Sequence, residues 1–209
     1  MSLNLVVNEG KIGDASFVEV PKQRNSREEN KEIKEGKIPA TFEENCHKKA
    51  QKDTDARWTK KNNVSYFGYK NHIKIDSKSK IITKFIVTDA SVHDSQTIDN
   101  LLDEKDKGES FYADSAYTGP NQEEIIEKNG MVNKVIEKGY KNNPLTDQQK
   151  ESNKEKSRIR SRVEHIFGFM EISMNGMYLN NIGIKRIEAA VGFMNLTYNM
   201  FRKVPLQAI

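Results

Sequence analysis

The chain carries one cysteine, Cys46, in 209 residues. That excludes an internal disulfide framework and fits a reducing cytoplasm. No apolar run approaches the ~18 residues of a membrane helix, and no signal-like stretch opens the sequence, so a cytoplasmic protein without a membrane partner is expected. No glycine-rich loop of the phosphate-cradling kind is present, which argues against nucleotide hydrolysis. No internal repeat is found, so solenoid architectures fall away.

Charge is what the chain has in quantity. Charged residues make up 31% and hydrophobic ones 35%, with 34 Lys and Arg against 30 Asp and Glu, for a net charge of +4. The length suits one domain, residues 1–209, with a sizeable core. The mild excess of base permits nucleic-acid binding without demonstrating it.

Residues from about Leu3 to Val20 read as strand, interrupted by a turn at Asn8-Glu9-Gly10. From about 21 to 63 the chain is crowded with Lys, Glu, Asn and Arg and poor in apolar side chains. It reads as a charged insertion with a short helix around Phe42–Ala50, part of it mobile. Alternation over Ser65–Asp76, a turn at Ser77–Lys80 and the β-branched run Ile81–Thr88 predict a hairpin. Asp94 or Ser95 caps a helix carrying Ile98, Leu101 and Leu102. A short strand ends at Asp114. A helix follows over Gln122–Lys128, stopped at Asn129-Gly130, then a strand over Met131–Ile136. Amphipathic helices span Lys156 to about Met170 and Ile184 to about Phe201. This order predicts an α/β fold, a mixed sheet with helices on both faces.

Three acids stand where burial is expected: Asp14 in Gly13-Asp14-Ala15-Ser16, Asp114 after Phe111-Tyr112-Ala113, and Glu164 in Val163-Glu164-His165-Ile166-Phe167. Buried acids need a partner or a metal. Carboxylates on separate rigid elements suit two divalent ions acting on a phosphodiester. Each also has a plainer reading. Asp114 could cap a turn, Asp14 could sit in a bulge beside Gly13, and Glu164 could be a solvated helix residue.

Six stretches in order resemble the catalytic part of bacterial insertion-sequence transposases of the Asp-Asp-Glu class. They are Gly13-Asp14-Ala15-Ser16, Asp53-Thr54-Asp55-Ala56-Arg57-Trp58-Thr59-Lys60-Lys61, Tyr66–Asp76, Thr88–Ser95, Tyr112–Tyr117, and Arg160-Ser161-Arg162-Val163-Glu164 with Phe167-Gly168. The resemblance spans about residues 11–201. It implies a ribonuclease H-like fold with a five-stranded mixed sheet, and Mg²⁺ or Mn²⁺, two ions, held by Asp14, Asp114 and Glu164 as the catalytic residues. It implies hydrolysis at the element end, then strand transfer into target DNA, with transposon ends and target DNA as partners and a homodimer or higher assembly on DNA. Arg160, one helical turn before Glu164, would meet phosphate or brace the acid, and Arg162 and Arg158 could do similar work. Arg57, Trp58, Lys60 and Lys61 could clamp DNA, Trp58 by stacking, or Trp58 could anchor the insertion to the sheet.

Two positions depart from the pattern. Related enzymes often carry a tyrosine before that arginine and a lysine two turns after the glutamate, where this chain has Ser157 and Glu171. That leaves Lys154, Lys156 or Arg158 as substitutes. It also leaves two alternatives open: a remnant that binds DNA without chemistry, or a stand-alone nuclease. Family members usually carry a further N-terminal region, which this chain is expected to lack. Neither His72 nor His93 has a second His or Cys at ligand spacing, so both read as hydrogen-bonded structural residues, as does His165. His93, beside Asp94, is the better functional candidate of the three.

Overall fold

The computed structural model describes residues 5–174 and 176–207. Its centre is a six-stranded sheet. β1 (Lys11–Glu19) pairs antiparallel along its whole length with β3 (Val64–Asp76). β3 is long enough to take two partners on its far edge: β2 (Arg57–Lys61) beside its first part and β4 (Ile82–Asp89) beside its second. On the other side β1 pairs in parallel with β5 (Ser110–Tyr112), and β5 with β6 (Val132–Asn133). Three antiparallel strands followed by parallel ones, with helices on both faces, make the ribonuclease H-like arrangement. β2 raises the strand count to six from the expected five.

Side-chain alternation along β1 and β3 sorts the two faces. Ile12, Val18, Tyr69, Ile73 and Ile75 are fully buried against Val163, Ile166, Met170, Ile187 and Val191. Those residues belong to α7 (Glu164–Ser173), the turn before it, and α8 (Ile184–Gln207). A second core joins Ile98, Leu102, Phe111, Ala113, Tyr117 and Ile126 around α4 (Ile98–Leu101) and α5 (Pro120–Lys128). Burying each such side chain contributes about 1.5–3 kcal/mol. Gly13 lets the two layers close, because a Cβ there would lie 2.7 Å from the Phe111 ring. Gly68 has φ +145°, and a Cβ would lie 2.3 Å from the Val18 carbonyl oxygen, so only glycine fits where β3 crosses β1.

The insertion carries regular structure. It forms α1 (Arg27–Lys34), α2 (Ala40–Glu43), α3 (Cys46–Ala50) and β2. The helix expected over Phe42–Ala50 is therefore two short ones. Ser26 and Glu29 cap α1 reciprocally, and Asn45 caps α3. Asp53 is 2% exposed and accepts hydrogen bonds from Tyr69 Oη (2.7 Å), the Ala56 N–H (3.0 Å) and the Gly183 N–H (3.1 Å). Asp55 accepts from the Ile184 N–H at 2.9 Å. The two acids of the Asp53-Thr54-Asp55 stretch thus tie β2 to the N-terminus of α8.

Other boundaries move. The first strand begins at Lys11, and of the expected Leu3–Val20 segment residues 3 and 4 lie outside the described residues. The strand over Met131–Ile136 contracts to β6. The helix expected from Lys156 to Met170 is broken: α6 (Asp147–Arg160) ends in a tighter 3₁₀ turn at Ser161–Val163 before α7 begins at Glu164.

Candidate active site

Parallel strands β1 and β5 are joined only as far as Ile12 and Tyr112. Two residues further along the chain from each stand Asp14, still within β1, and Asp114, past the end of β5, where the parallel pairing stops. Crevices at the carboxyl ends of diverging parallel strands are where ligands bind in open sheets. Asp14 shares a face with Ile73, its partner on β3, which turns it towards the helical layer of α7 and α8.

The Asp14 side chain is 14% exposed. Its carboxylate accepts from the Ala15 N–H at 2.8 Å and from Arg160 Nη1 at 2.8 Å. Burial pushes its pKa up to about 6; Arg160 and the Ala15 N–H pull it down, and Asp114 and Asp94 push it further up. Asp114 accepts from the Ala116 N–H at 2.8 Å and caps the turn Ser115–Tyr117, so a capping role and a place at the crevice coexist in one side chain. Glu164, 59% exposed, opens α7 and reaches back one turn to Arg160 Nη2. One guanidinium therefore lies between Asp14 and Glu164.

Beside these acids is a pocket of about 300 Å³ lined by Lys60, Lys61, Lys70, His93, Asp94 and Asp114 among others. Lys70 donates to Asp94 at 2.8 Å and to the Val92 carbonyl at 2.7 Å. Lys61 and Lys70 lie over the Phe17 ring at 5.8 and 5.4 Å. His93 accepts from the Ser95 N–H and caps the turn Asp94–Thr97, the place expected for Asp94 or Ser95. Asp94 and Lys70 escaped the sequence reading as site residues. The signal was a lysine inside a run of β3 residues that are otherwise burial-prone, since a charge there requires a partner.

The remaining basic residues divide. Lys60 and Lys61 face the acid pocket. Arg57 donates to the Thr54 and Ala56 carbonyls at 2.7 and 3.1 Å, and Trp58 packs on Phe67 at 5.0 Å. Both line a separate cavity of about 410 Å³ that shares only Ser91 with the acid pocket. Arg162 donates to the Ser77 carbonyl at 2.7 Å, on the β3–β4 turn. Arg158 is exposed, while Lys156 pairs with Glu137 at 3.0 Å. Lys154 pairs with Glu151 and Glu171 is exposed. His72, fully buried with Nε2 2.8 Å from Thr88 Oγ1, has its pKa pushed down to about 4 by burial. His165 sits near Lys80. Both are structural in placement.

Among the described residues no three His, Cys, Asp or Glu side chains converge closely enough to hold a metal ion. The donor chemistry nevertheless suits Mg²⁺ or Mn²⁺, being oxygen only, with Asp14 costly to keep charged where it is. The buried Tyr117 hydroxyl has no hydrogen-bond partner among the described residues. Its pKa is pushed well above the usual phenol range by burial first, then by Asp14, Asp94 and Asp114. A buried polar group left unpaired beside three carboxylates fits a site whose polar contents are completed by a ligand.

Residues 9–200 match the family described as Transposase DDE domain. The transposase for insertion sequence element IS1106 of Neisseria meningitidis serogroup B is 28% identical over 151 residues, which is 72% of this chain and 52% of that protein. The chain thus spans little more than half the length of this curated relative. No solved structure gives a significant match. With the family's match running through both strands of the crevice and the helix that carries Glu164, the chain belongs to the Transposase DDE domain family.

Proposed function

We propose that the chain is the catalytic domain of a DNA transposase, with Asp14, Asp114 and Glu164 as its catalytic carboxylates. The observation that carries this reading is that Asp14, within β1, and Asp114, two residues past the end of β5, each lie two residues beyond the last paired residues of these parallel strands, with Glu164 linked to Asp14 through Arg160. Divalent ions held by these acids would neutralise the scissile phosphate and lower the pKa of the attacking hydroxyl. Lys60 and Lys61, which line the same pocket as Asp114, would hold the flanking phosphates, and Arg158 the backbone further out. Asp14, half-enclosed by the sheet, and Asp114, fixed by the Ala116 N–H, keep their oxygens in place without reorganisation. In the first step a water oxygen bonds to phosphorus and the element's 3′ oxygen leaves. In the second that 3′-hydroxyl attacks a target phosphodiester and displaces the target's own 3′ oxygen. Transposon ends and target DNA are the substrates, on an assembly of two or more copies.

A second reading, a DNA-binding remnant without chemistry, is favoured by the absence of a metal-holding cluster among the described residues. The test is nicking of supercoiled DNA with Mg²⁺ or Mn²⁺, wild type beside Asp114→Ala. Nicking that needs the metal and disappears in the variant supports the enzyme. Equal inactivity with DNA binding retained supports the remnant. Nicking without joining of a 3′ end to a second DNA would make the chain a stand-alone nuclease.

A further inference from the structure

The clamp between Asp14 and Glu164 has a consequence for how the site is loaded. Arg160 gives Nη1 to Asp14 and Nη2 to Glu164, so one guanidinium satisfies two of the three acids assigned to the metal. The remaining Asp14 oxygen accepts from the Ala15 N–H. A divalent cation approaching Asp14 would stand within a few ångströms of a fixed positive charge in a water-poor crevice, where like charges repel strongly. Glu164 meanwhile points back across the 3₁₀ turn to Arg160, the last residue of α6.

We infer that Arg160 is a placeholder cation: in the DNA-free protein it occupies the acids in place of metal, and a DNA phosphate withdraws it, so that metal and DNA bind cooperatively. This rests on the proposed metal role of Asp14. The clamp is built to open from outside. The Arg160 side chain is 19% exposed and its Glu164 partner 59% exposed, whereas Asp14 is 14% exposed. A phosphate can therefore reach the guanidinium from the Glu164 side. It offers the same two-pronged oxygen geometry that the two carboxylates now supply. Lys60 and Lys61 line the neighbouring pocket together with Asp114, and such basic side chains attract a phosphate backbone to this part of the surface. Once Arg160 turns outward, Asp14 and Glu164 are left as an uncompensated pair of acids beside Asp114, and a divalent ion is the natural replacement. Reciprocity then requires that whatever DNA does for metal affinity, metal does for DNA affinity.

The experiment is Mn²⁺ binding to the folded chain, followed by electron paramagnetic resonance of free Mn²⁺, with and without a short DNA duplex. Without DNA, Arg160→Gln tightens Mn²⁺ binding roughly tenfold, since a charge-assisted hydrogen bond is worth about one order of magnitude in affinity. Arg160→Lys, which keeps the charge, does not. The duplex tightens Mn²⁺ binding to wild type and has much less effect on Arg160→Gln. The inference is overturned if Arg160→Gln binds Mn²⁺ no better than wild type, if the lysine variant tightens equally, or if DNA leaves wild-type affinity unchanged. Asp14→Asn separates the two levels. If Asp14→Asn does not weaken Mn²⁺ binding, the metal reading itself fails. If it abolishes binding while Arg160→Gln leaves it unaltered, only the placeholder role fails.

Discussion

Replacing Asp14 by asparagine should stabilise the metal-free protein at neutral pH, although it destroys a catalytic candidate. The carboxyl titrates near 6 in the fold against an ordinary 3.8. Its charged form is thus disfavoured by roughly two units, or about 3 kcal/mol. Burial thus outweighs the pull of the Arg160 guanidinium, which favours the charged form. The sign follows from proton linkage. A folded pKa above the unfolded one means that the folded state binds more protons between about 4 and 6. Stability from this group is therefore complete below about 4 and is lost as pH rises through about 6. Asparagine does not titrate, is close in size and still accepts the Ala15 hydrogen bond. The two proteins should melt together near pH 4, and the variant should melt ~6–12 °C higher at pH 7.5, taking ~2–4 °C per kcal/mol for a chain of this size. Scanning fluorimetry across pH in the presence of a chelator measures this directly. A variant that melts at or below wild type at pH 7.5, or a gap that does not grow between pH 4 and 7, would refute the reasoning.

Two further outcomes follow from the pocket wall and the sheet. The double variant Lys60→Ala, Lys61→Ala should weaken binding of any duplex alike and reduce the slope of log affinity against log salt by about two, as expected for two lost phosphate contacts; a filter-binding series at several salt concentrations checks it. Gly68→Ala should destabilise the fold by about 3 kcal/mol or more, because it adds both left-handed strain and a collision with the Val18 carbonyl. Urea denaturation would show a shift below 1 kcal/mol if that crossing can relax.

The hairpin β3–β4 and the acids at the β1 and β5 ends were legible because strand alternation and turn residues are local signals. The insertion was not. Its helices are short and polar; Glu29 joins them by accepting from Thr41 and Lys48, and Asp53 ties the segment to the sheet and α8 through Tyr69 and Gly183, contacts between residues far apart in sequence. β2 was missed because Arg57–Lys61 is a polar edge strand with little buried surface. The break before Glu164 was invisible because Ile159, Val163, Ile166 and Met170 keep helical spacing across the 3₁₀ turn. The three proposed catalytic acids stand out in the sequence by their setting in apolar runs. Asp94 was read only as a cap, since its salt bridge to Lys70 joins elements 24 residues apart.

The carboxylate of Asp53 also decides how the molecule comes apart. It is the meeting point of the insertion, the middle of the longest strand and the first turn of the longest helix. Opening any one of the three takes a donor from a carboxylate that stays buried, so each opening costs more than its own contacts alone. A charged segment that resembles a detachable appendage is therefore energetically coupled to the sheet and to α8 through one carboxylate.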